Sequence, residues 1–423
     1  MYRYIALALL TLVPPLARAA DWPSWRGPTG LGYCEEKDLP LTWSKKGDGI
    51  LWKAPLHPDV KKNPEFTSPG WSSPIVAKGR VFATTAIFPE GLSDKERREV
   101  IPEHHVLCFD ASDGKRLWDT VIPAGKIVTL TENIYHGYAV PTPCTDGTHV
   151  YALFGSGVLA CLDFNGKIVW REELPRLKDR DPGICSSPIL FEDTVILPGL
   201  QDKGLRALDK KTGKVKWEQE TKFRSTMATP ALIRIAGQLQ LIHYAGNVQA
   251  LDPKTGDLLW TCKAPSGQAS PVYGAGVLFA DHGRSGQLGV AIDPTGKGDV
   301  SKTHVKWETR VEQVSGASGI AVDGHLYKAS GAGHFRCWSL KDGTLVHEIK
   351  AQRVTPSASP IATADGRIYW ASPGRTYVLK ASSKLEVLAT NDLDDGADYT
   401  SAAIAEGRIY IKGKVHLWCI GKK

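Results

Sequence analysis

This chain of 423 residues lacks the sequence features of helical repeat proteins and of several familiar enzyme classes. No segment shows the 3.6-residue apolar period of amphipathic helices, which argues against helical repeats. No Gly-x-Ser-x-Gly elbow, phosphate-binding P-loop or His-Glu-x-x-His zinc motif occurs, and no Cys-x-x-Cys-His segment is present to attach haem. The sequence therefore predicts no catalytic residue from a known motif.

Clustered positive charge is also missing. The formal net charge is +7 at pH 7, but the lysines and arginines are scattered along the chain. Without a basic cluster, nucleic-acid binding is not expected. The charge instead favours solubility and a weak attraction to anionic surfaces.

The apolar run near the N terminus is too short to cross a membrane. It extends from Tyr4 to Val13, about ten residues, roughly half of what a bilayer requires. Arg3 and Arg18 flank it, and Ala17-Arg-Ala19 supplies the small residues that a signal peptidase requires. We therefore interpret residues 1–19 as a secretory signal peptide, with a membrane anchor as the alternative.

Residues 20–48 are predicted to form an extended N-terminal arm packed on the fold. The segment from Asp21 to Gly30 contains two prolines and two glycines, which exclude a regular helix or a central strand. Trp22 and Trp25 are expected to pack the arm onto the outside of the fold, and docking to a partner is the alternative.

The most informative feature that the chain does contain is a repeat. The segment Ala207-Leu-Asp-Lys-Lys-Thr-Gly-Lys-Val-Lys-Trp217 returns as Ala250-Leu-Asp-Pro-Lys-Thr-Gly-Asp-Leu-Leu-Trp260. In each copy the Asp and Thr can bond the backbone of a turn, and the Gly supplies the positive φ of a tight hairpin. Looser copies end at Trp118, Trp170 and Trp307, and the successive spacings of the five tryptophans are 52, 47, 43 and 47 residues. Each spacing is the length of one four-stranded propeller blade.

A second marker counts the blades. It is a Ser/Thr-Pro step, or a weaker Ser-Gly or Ser-Ala step, before an apolar strand. It occurs at Ser73, Thr142, Ser187, Thr229, Ser270, Ser318, Ser359 and Ser401. These eight starts predict an all-β fold, an eight-bladed β-propeller of four-stranded antiparallel blades over residues 49–423. A lone strand at Gly49–Lys53 and an unpaired last strand at Val415–Cys419 are predicted to pair and close the ring.

Four of the eight cysteines share one position of the repeat. They are Cys108, Cys161, Cys337 and Cys419, and the same position holds Ala207 and Ala250 in the two clearest copies. A position that accepts either Ala or Cys is small and buried, and equivalent positions of different blades lie beyond disulfide reach. We predict that these four are reduced core residues. The pairing of Cys34, Cys144, Cys185 and Cys262 stays open.

A charged insertion, Pro89 to His105, interrupts the rhythm of the repeat. We interpret it as a solvated loop with or without a short helix. His104 and His105 at its end could bind a metal ion, but adjacent residues of a strand point to opposite faces. A solvated pair of histidines is expected instead, and no metal site is predicted.

These features resemble the PQQ-like repeat β-propeller family, named after pyrroloquinoline quinone (PQQ). The Ala-x-Asp-x-x-Thr-Gly-x-x-x-Trp pattern, the strand starts and the eight units carry the resemblance, which covers nearly the whole chain after residue 19. The resemblance implies that each repeat tryptophan docks between neighbouring blades against the small Ala or Cys position. It assigns this structural role to Trp118, Trp170, Trp217, Trp260 and Trp307. The seventh and eighth units depart from the pattern, with Leu388 where a tryptophan is expected and no Asp-Thr-Gly turn.

The resemblance leaves two classes of function open, since the family includes the outer-membrane assembly factor BamB and the quinoprotein alcohol dehydrogenases. Family dehydrogenases bind PQQ with Ca²⁺ at one end of the central channel, and many carry two adjacent cysteines under the quinone. This chain has no adjacent cysteine pair and is far shorter than those enzymes. We expect a non-catalytic, BamB-like binding protein or scaffold without a cofactor, exported to a bacterial periplasm, envelope or medium. A PQQ-dependent alcohol dehydrogenase is the alternative.

The predicted binding residues lie just before the first strand of each blade, where eight loops converge at one mouth of the channel. They are Trp71, His136, Tyr138, Arg224, Gln268, Arg353 and Tyr399, joined by Asp281, His282 and Arg284 from the fifth blade. Loops on a rigid scaffold are where binding residues concentrate. The three arginines, with Asp281 as a counter-charge, would favour an anionic or carboxylate ligand. The expected partner is thus a protein or a small polar or anionic ligand, bound by a monomer, and a merely water-filled polar mouth is the alternative.

Overall fold

The computed structural model describes residues 21–57, 67–68, 70–97, 100–125, 138–174, 184–198, 203–220, 227–244, 246–265, 267–282, 288–311, 316–330, 333–351, 358–372, 374–395 and 400–422. The predicted signal peptide lies outside these residues. In the part of the chain that is described, no helix is long and apolar enough to cross a membrane.

The described residues form eight sheets of four main strands each, numbered here as blades 1 to 8 in chain order. Three short segments come first: β1 (Tyr33–Cys34), β2 (Ile50–Pro55) and β3 (Thr67–Ser68). Blade 1 contains β4 (Ile75–Ala77), β5 (Arg80–Ile87), the helix α1 (Asp94–Arg97), β6 (Glu103–Asp110) and β7 (Arg116–Ile122). Blade 2 contains β8 (Cys144–Thr145), β9 (His149–Leu153), β10 (Val158–Asp163) and β11 (Ile168–Glu173). Blade 3 contains β12 (Ile189–Phe191), β13 (Thr194–Pro198), β14 (Lys203–Asp209) and β15 (Val215–Glu220).

The second half of the ring repeats the pattern. Blade 4 contains β16 (Ala231–Ile235), β17 (Gln238–Tyr244), β18 (Val248–Leu251) and β19 (Leu258–Cys262). Blade 5 contains β20 (Val272–Gly274), β21 (Val277–Ala280), β22 (Leu288–Ile292), the short β23 (Gly298–Asp299) and β24 (Val305–Arg310). Blade 6 contains β25 (Ile320–Val322), β26 (His325–Ala329), β27 (His334–Ser339) and β28 (Leu345–Lys350). Blade 7 contains β29 (Ile361–Thr363), β30 (Arg367–Ser372), β31 (Arg375–Lys380) and β32 (Glu386–Asp392), and blade 8 contains β33 (Ala403–Ala405), β34 (Arg408–Lys412) and β35 (His416–Ile420).

The ring is closed by the N-terminal strand, as predicted. β2 pairs antiparallel with β35, so that Trp52 lies opposite Cys419 and Ala54 opposite Leu417. The last three strands of the chain therefore obtain their fourth strand from its beginning. This pairing removes two open sheet edges that would otherwise invite association with other chains.

Hydroxyl side chains join the first strands of the eight blades into a continuous circle. Each of the eight marker residues donates its backbone N–H to the side-chain oxygen of the next one, at 2.9 to 3.1 Å. The order is Ser73, Thr142, Ser187, Thr229, Ser270, Ser318, Ser359 and Ser401, and Ser401 returns to Ser73. We call this set the hydroxyl circle. All eight residues are buried, so each bond satisfies a backbone donor that water does not reach.

Tryptophans at the repeat position connect five of the blades to the next one. In its own blade the tryptophan lies opposite the small Ala or Cys position, as Trp118 lies opposite Cys108 and Trp217 opposite Ala207. Its indole then packs on the hairpin glycine of the following blade. The pairs are Trp52 with Gly114, Trp118 with Gly166, Trp170 with Gly213, Trp217 with Gly256 and Trp307 with Gly343. A Cβ on any of these glycines would come within 3.0 Å of the indole, and each glycine has a positive φ, so both packing and turn geometry require glycine.

Trp260 departs from this arrangement. Its indole is fully buried and donates a hydrogen bond to Oε1 of Gln240 in its own blade, at 2.9 Å. The hairpin of blade 5 is longer than the others, and its β23 pairs in parallel with β19, which places Gly298 opposite Trp260. The inserted strand thus occupies the place where a short hairpin would offer its glycine.

Blade 7 corrects the predicted position of the missing tryptophan. Val378 is paired with Ala389, not with Leu388. A register shift between Val378 and Leu379 leaves Leu388 in the bulge, as the equivalent shift does beside Trp118 in blade 1. Counting along the sequence was wrong by one residue because the hairpin of blade 7 is one residue longer: Leu379 pairs with Val387, eight residues on, whereas Phe109 of blade 1 pairs with Arg116, seven residues on.

All eight cysteines lie in the described part of the chain, and none forms a disulfide. Cys108, Cys161, Cys337 and Cys419 are completely buried. Burial raises the pKa of the Cys108 and Cys419 thiols to about 12. These thiols are therefore held in their protonated, unreactive form.

The N-terminal arm, residues 21–43, does not lie on the outside of the fold. Trp22 forms an antiparallel bridge with Val76, and the carbonyl of Pro23 accepts a hydrogen bond from the backbone N–H of Thr145. Both partners belong to first strands, in blades 1 and 2. Trp22 itself is only 1% exposed. The prediction was wrong because the inner edges of the first strands leave backbone groups unpaired, and the arm supplies their partners.

The same arm also contacts the last two blades of the ring. β1 pairs in parallel with β29 of blade 7, and the side chain of Glu36 accepts a hydrogen bond from the backbone N–H of Gly407 in blade 8, at 2.7 Å. Pro23 contacts blade 2, and the side chain of Arg26 bonds the carbonyl oxygen of Gly319 in blade 6, on the far side of the ring. The arm therefore crosses the end of the channel at which the first strands finish. We call this the arm end of the channel, and the other end the mouth.

The hydroxyl circle predicts a specific cost for losing one oxygen. Ser73→Ala should destabilise the protein by about 1–3 kcal/mol, because the buried N–H of Ser401 loses its acceptor. Ser73→Thr is the matched control and should stay close to the wild type, since threonine already occupies two positions of the circle. Chemical denaturation measures both variants, and an alanine variant as stable as the threonine one would contradict the role of the oxygen.

Truncating the buried indole of blade 4 gives a second expectation. Trp260→Ala should cost about 3–5 kcal/mol, the range for losing a fully buried large aromatic side chain. Leu258→Ala, two residues away on the same strand and 52% exposed, should change stability by less than about 0.5 kcal/mol. Equal denaturation midpoints for the two variants would show that the Trp260 indole is not part of the core.

Candidate functional site at the channel mouth

Five of the ten predicted mouth residues lie outside the described residues: His136, Arg224, Arg284, Arg353 and Tyr399. The proposed cluster of three arginines therefore stays a prediction. The other five, Trp71, Tyr138, Gln268, Asp281 and His282, are described. Trp71 and Tyr138 belong to the loops before β4 and β8, whereas the other three meet on blade 5.

Tyr138 is part of the core between blades 1 and 2. Its side chain is 4% exposed and its ring centroid lies 6.2 Å from that of Phe88 and 5.6 Å from that of His104. Burial raises the pKa of its hydroxyl to about 12. Tyr138 thus packs in the core beneath the loops of the mouth, and its side chain is not exposed to a ligand there.

Gln268 and His282 come together on blade 5. The backbone N–H of Gln268 donates to the carbonyl oxygen of His282 at 2.9 Å. Both side chains are partly exposed. Gly267 makes this approach possible, because a Cβ there would lie 2.7 Å from the carbonyl oxygen of His282. This pair is the part of the predicted site that the fold assembles and leaves open.

Asp281 is not available as a counter-charge for a ligand. Its carboxylate accepts a hydrogen bond from Nζ of Lys328 at 2.7 Å, and the two side chains are 3% and 1% exposed. Lys328 comes from β26 of blade 6, so the ion pair joins two blades. The sequence analysis missed Lys328, although a lysine within an otherwise apolar strand is a signal that a buried partner exists.

A second buried lysine lies at the seam between the last and first blades. Nζ of Lys412, from β34, donates to the hydroxyl of Ser72 at 2.6 Å and to the carbonyl oxygen of Thr84 at 3.1 Å. Lys412 is fully buried, and this burial lowers the pKa of its ammonium group to about 7. Ser72 directly precedes the hydroxyl circle, so the lysine holds the two ends of the ring together on the side of the mouth.

The predicted solvated histidine pair is instead part of a strand. His104 and His105 belong to β6 and are 0% and 6% exposed. Their side chains do point to opposite faces: His104 stacks on Phe154 with ring centroids 4.5 Å apart, whereas His105 bonds Asp119 at 2.8 Å. The prediction of a loop was wrong because β6 begins at Glu103, before the histidines, and its neighbours cover both faces. Burial lowers the pKa of His104 to about 3, so its imidazole is neutral.

A model of the family described as "Outer membrane protein assembly factor BamB" matches residues 102–348, more than half of the chain. The chain belongs to this PQQ-like repeat family. Among curated proteins, the chain is similar to the outer membrane protein assembly factor BamB of Yersinia pestis, with 23% identity over 306 residues, 66% of this chain and 71% of that protein. It is also similar to the tetrathionate hydrolase of Acidithiobacillus ferrooxidans, with 27% identity over 248 residues. That match covers 52% of this chain and 44% of the hydrolase, so the chain spans less than half of that relative.

Solved structures of the family show the same fold in proteins with different names. BamB from Moraxella catarrhalis superposes with a TM-score of 0.55 and 16% identity, covering 74% of this chain and 88% of that one. The quinohemoprotein alcohol dehydrogenase from Comamonas testosteroni superposes with a TM-score of 0.64 and 14% identity, covering 95% of this chain and 81% of that one. At these identities the likeness shows the PQQ-like repeat propeller and leaves the activity open.

The described mouth residues do not fit the cofactor of the family dehydrogenases. Calcium, which accompanies the quinone, takes about six to eight oxygen ligands, with carboxylates prominent among them. Among the described residues no group of three or more His, Cys, Asp or Glu side chains could hold a metal ion, and Asp281 is bonded to Lys328. We therefore derive no chemistry through a quinone at this mouth.

The seam lysine predicts a pH dependence of stability. The pKa of Lys412 falls from 10.5 to about 7 on folding, so between these values the unfolded chain keeps a proton that the folded chain releases. Stability should rise with pH across this window, because the unfolded state binds more protons. Lys412→Met should flatten this rise, and chemical denaturation across the window measures it. The exposed Lys380→Met is the control and should keep the wild-type slope; an unchanged slope in Lys412→Met would contradict the assignment.

Proposed function

We propose that this protein is an exported β-propeller that binds a partner protein in the bacterial cell envelope and catalyses no reaction itself. The observation that carries the proposal is that the buried charged side chains near the mouth bond residues of neighbouring blades. Asp281 and Lys328 join two blades, and Lys412 joins the first blade to the last. Because these groups hold the ring together, the inner strands act as a scaffold, and recognition falls to the loops that the scaffold presents.

The location of the protein is part of the same proposal. The predicted signal peptide supports export, and the BamB relatives are named as outer membrane protein assembly factors. A rigid ring whose loops gather on one face is suited to holding a partner. The relatives also include a hydrolase and an alcohol dehydrogenase by name, so a PQQ-dependent oxidoreductase is the alternative that an experiment must separate from binding.

The first arm of the test addresses catalysis. Purified protein is incubated with PQQ and Ca²⁺, and the absorbance of bound quinone and dye reduction with a panel of alcohols are measured. We expect neither quinone binding nor turnover. Tight quinone binding with turnover would overturn the proposal, and the variant Asp281→Asn would then show whether the reaction depends on the mouth.

The second arm addresses binding. A photo-crosslinking residue is placed at Lys95, on α1 in the loop between β5 and β6, which is on the side of the mouth. The matched position is Lys341, exposed in the hairpin between β27 and β28 on the opposite side. In cells, crosslinks to envelope proteins should form from position 95 and be much weaker from position 341. Absence of crosslinks at both positions would contradict a partner bound over the mouth.

A further inference from the structure

Arg26 of the N-terminal arm extends into the channel. The backbone turns at this residue, with a φ of 59°, and the backbone N–H of Gly32 donates to the carbonyl oxygen of Arg26 at 2.9 Å. The side chain then reaches blade 6, where its Nη2 donates to the carbonyl oxygen of Gly319 at 2.6 Å. Gly319 directly follows Ser318 of the hydroxyl circle, so the guanidinium lies at the level of the circle, between the arm end and the mouth.

The guanidinium is buried without a negative partner. Arg26 is 1% exposed, and its Nε and Nη1 atoms have no hydrogen-bond acceptor. Within the described ranges, no carboxylate forms an ion pair with it. A buried arginine almost always has a partner, because a desolvated cation with unused donors is unfavourable. Burial lowers the pKa of Arg26 to about 9, because the desolvated cation has no carboxylate paired with it in the described part of the chain to stabilise it.

The guanidinium packs with one face on an aromatic ring. Its carbon lies 5.6 Å from the centroid of the Trp25 ring, a cation–π distance. Gly32 borders one edge: a Cβ there would lie 3.0 Å from Nη2, 3.1 Å from Nε and 2.8 Å from the carbonyl oxygen of Pro360. Glycine, with a φ of 85°, is thus the residue that lets the backbone of the arm pack this close to the guanidinium.

An oxyanion is the ligand that these donors match. A planar guanidinium held on an aromatic ring presents fixed N–H groups to carboxylate, sulfate or phosphate oxygens, and such charge-assisted bonds are short and strong. A neutral ligand or a water molecule could satisfy the donors but would leave the charge unbalanced. The other buried cations of the inner strands do not compete, because Lys328 is paired with Asp281 and Lys412 has Ser72 and Thr84 as acceptors.

We propose that Arg26 forms the floor of an oxyanion site within the channel, which takes a carboxylate, sulfate or phosphate group entering from the mouth. The arm covers the other end, so the mouth is the route of entry. The site is separate from the surface over which a partner protein is proposed to bind, and it stands or falls independently of that function. A free anion and an anionic group of a larger ligand share the same chemistry here.

Anion titrations of the purified protein test the site. The melting temperature and the heat of binding are measured with phosphate, sulfate and acetate against chloride at constant ionic strength and pH. We expect saturable stabilisation by at least one oxyanion, because a ligand that binds only the folded state raises its stability with concentration. Comparing acetate with sulfate and phosphate distinguishes a carboxylate site from one for a tetrahedral anion. A rise that never saturates, or no rise with any oxyanion, would overturn the proposal, since general salt exclusion is not saturable.

Variants locate the effect. Arg26→Gln should abolish the saturable response, and Arg26→Lys, which keeps the charge but not the planar fork, should weaken it at least several-fold. Arg234→Gln is the matched control, because that arginine is exposed and bonds only the nearby carbonyl of Gly237; it should respond like the wild type. If Arg26→Gln does not fold, the calorimetric titrations of Arg26→Lys and of the wild type still show whether Arg26 binds an oxyanion. An oxyanion affinity unchanged in Arg26→Lys would place the site elsewhere and refute the proposal.

Discussion

The hydroxyl circle is the constraint on which the rest of the structure depends. Eight backbone donors lie buried at the start of the first strands, where neither a neighbouring strand nor water serves them. A short hydroxyl side chain on the next blade is the group that reaches each one. Each residue of the circle accepts a bond through its side-chain oxygen and donates one through its backbone N–H. All eight blades must therefore be present in one circular order before every donor is satisfied.

The outer part of the ring is held by a different device. Except in blade 4, each repeat tryptophan spans from the small residue of its own blade to the glycine hairpin of the next, so one indole fixes the distance between two sheets. Trp52 performs this task from β2, which means that the residue closing the ring also repeats the contact made by the other blades. The buried pairs near the mouth, such as Asp281 with Lys328, add directional bonds between blades that a tryptophan also connects.

The sequence was sufficient to predict the propeller, its eight units and its closing strand, because these follow from local chemistry repeated many times. Ser318 and Ser401 illustrate this well, since they lack the following proline yet keep the hydroxyl that the circle requires. Features that occur only once in the ring could not be predicted from the sequence. The extra hairpin residue that puts Ala389 in place of Leu388 is invisible without the register, and the partner of Asp281 lies 47 residues away on another blade.

The candidate site was predicted less well than the fold, and the N-terminal arm shows why. Two tryptophans in a segment with prolines indicate packing, but a pattern does not say against which surface. Only the three-dimensional ring reveals that its inner edges need partners and that a segment of this length can cross the axis. The same holds for Arg26, whose sequence neighbours give no sign that its side chain ends beside blade 6.

Closure by β2 also has a consequence for the order in which the protein is made. β2 leaves the ribosome early, but its partner β35 is among the last segments to appear. At about 5–20 residues per second, synthesis of the intervening chain takes roughly 20–70 seconds. During that time β2 has no strand to pair with, and the hydroxyl circle is open. Blades 1 to 7 can form as synthesis proceeds, but the last blade waits for β35, so a nascent chain presents two adhesive sheet edges until β35 has been made.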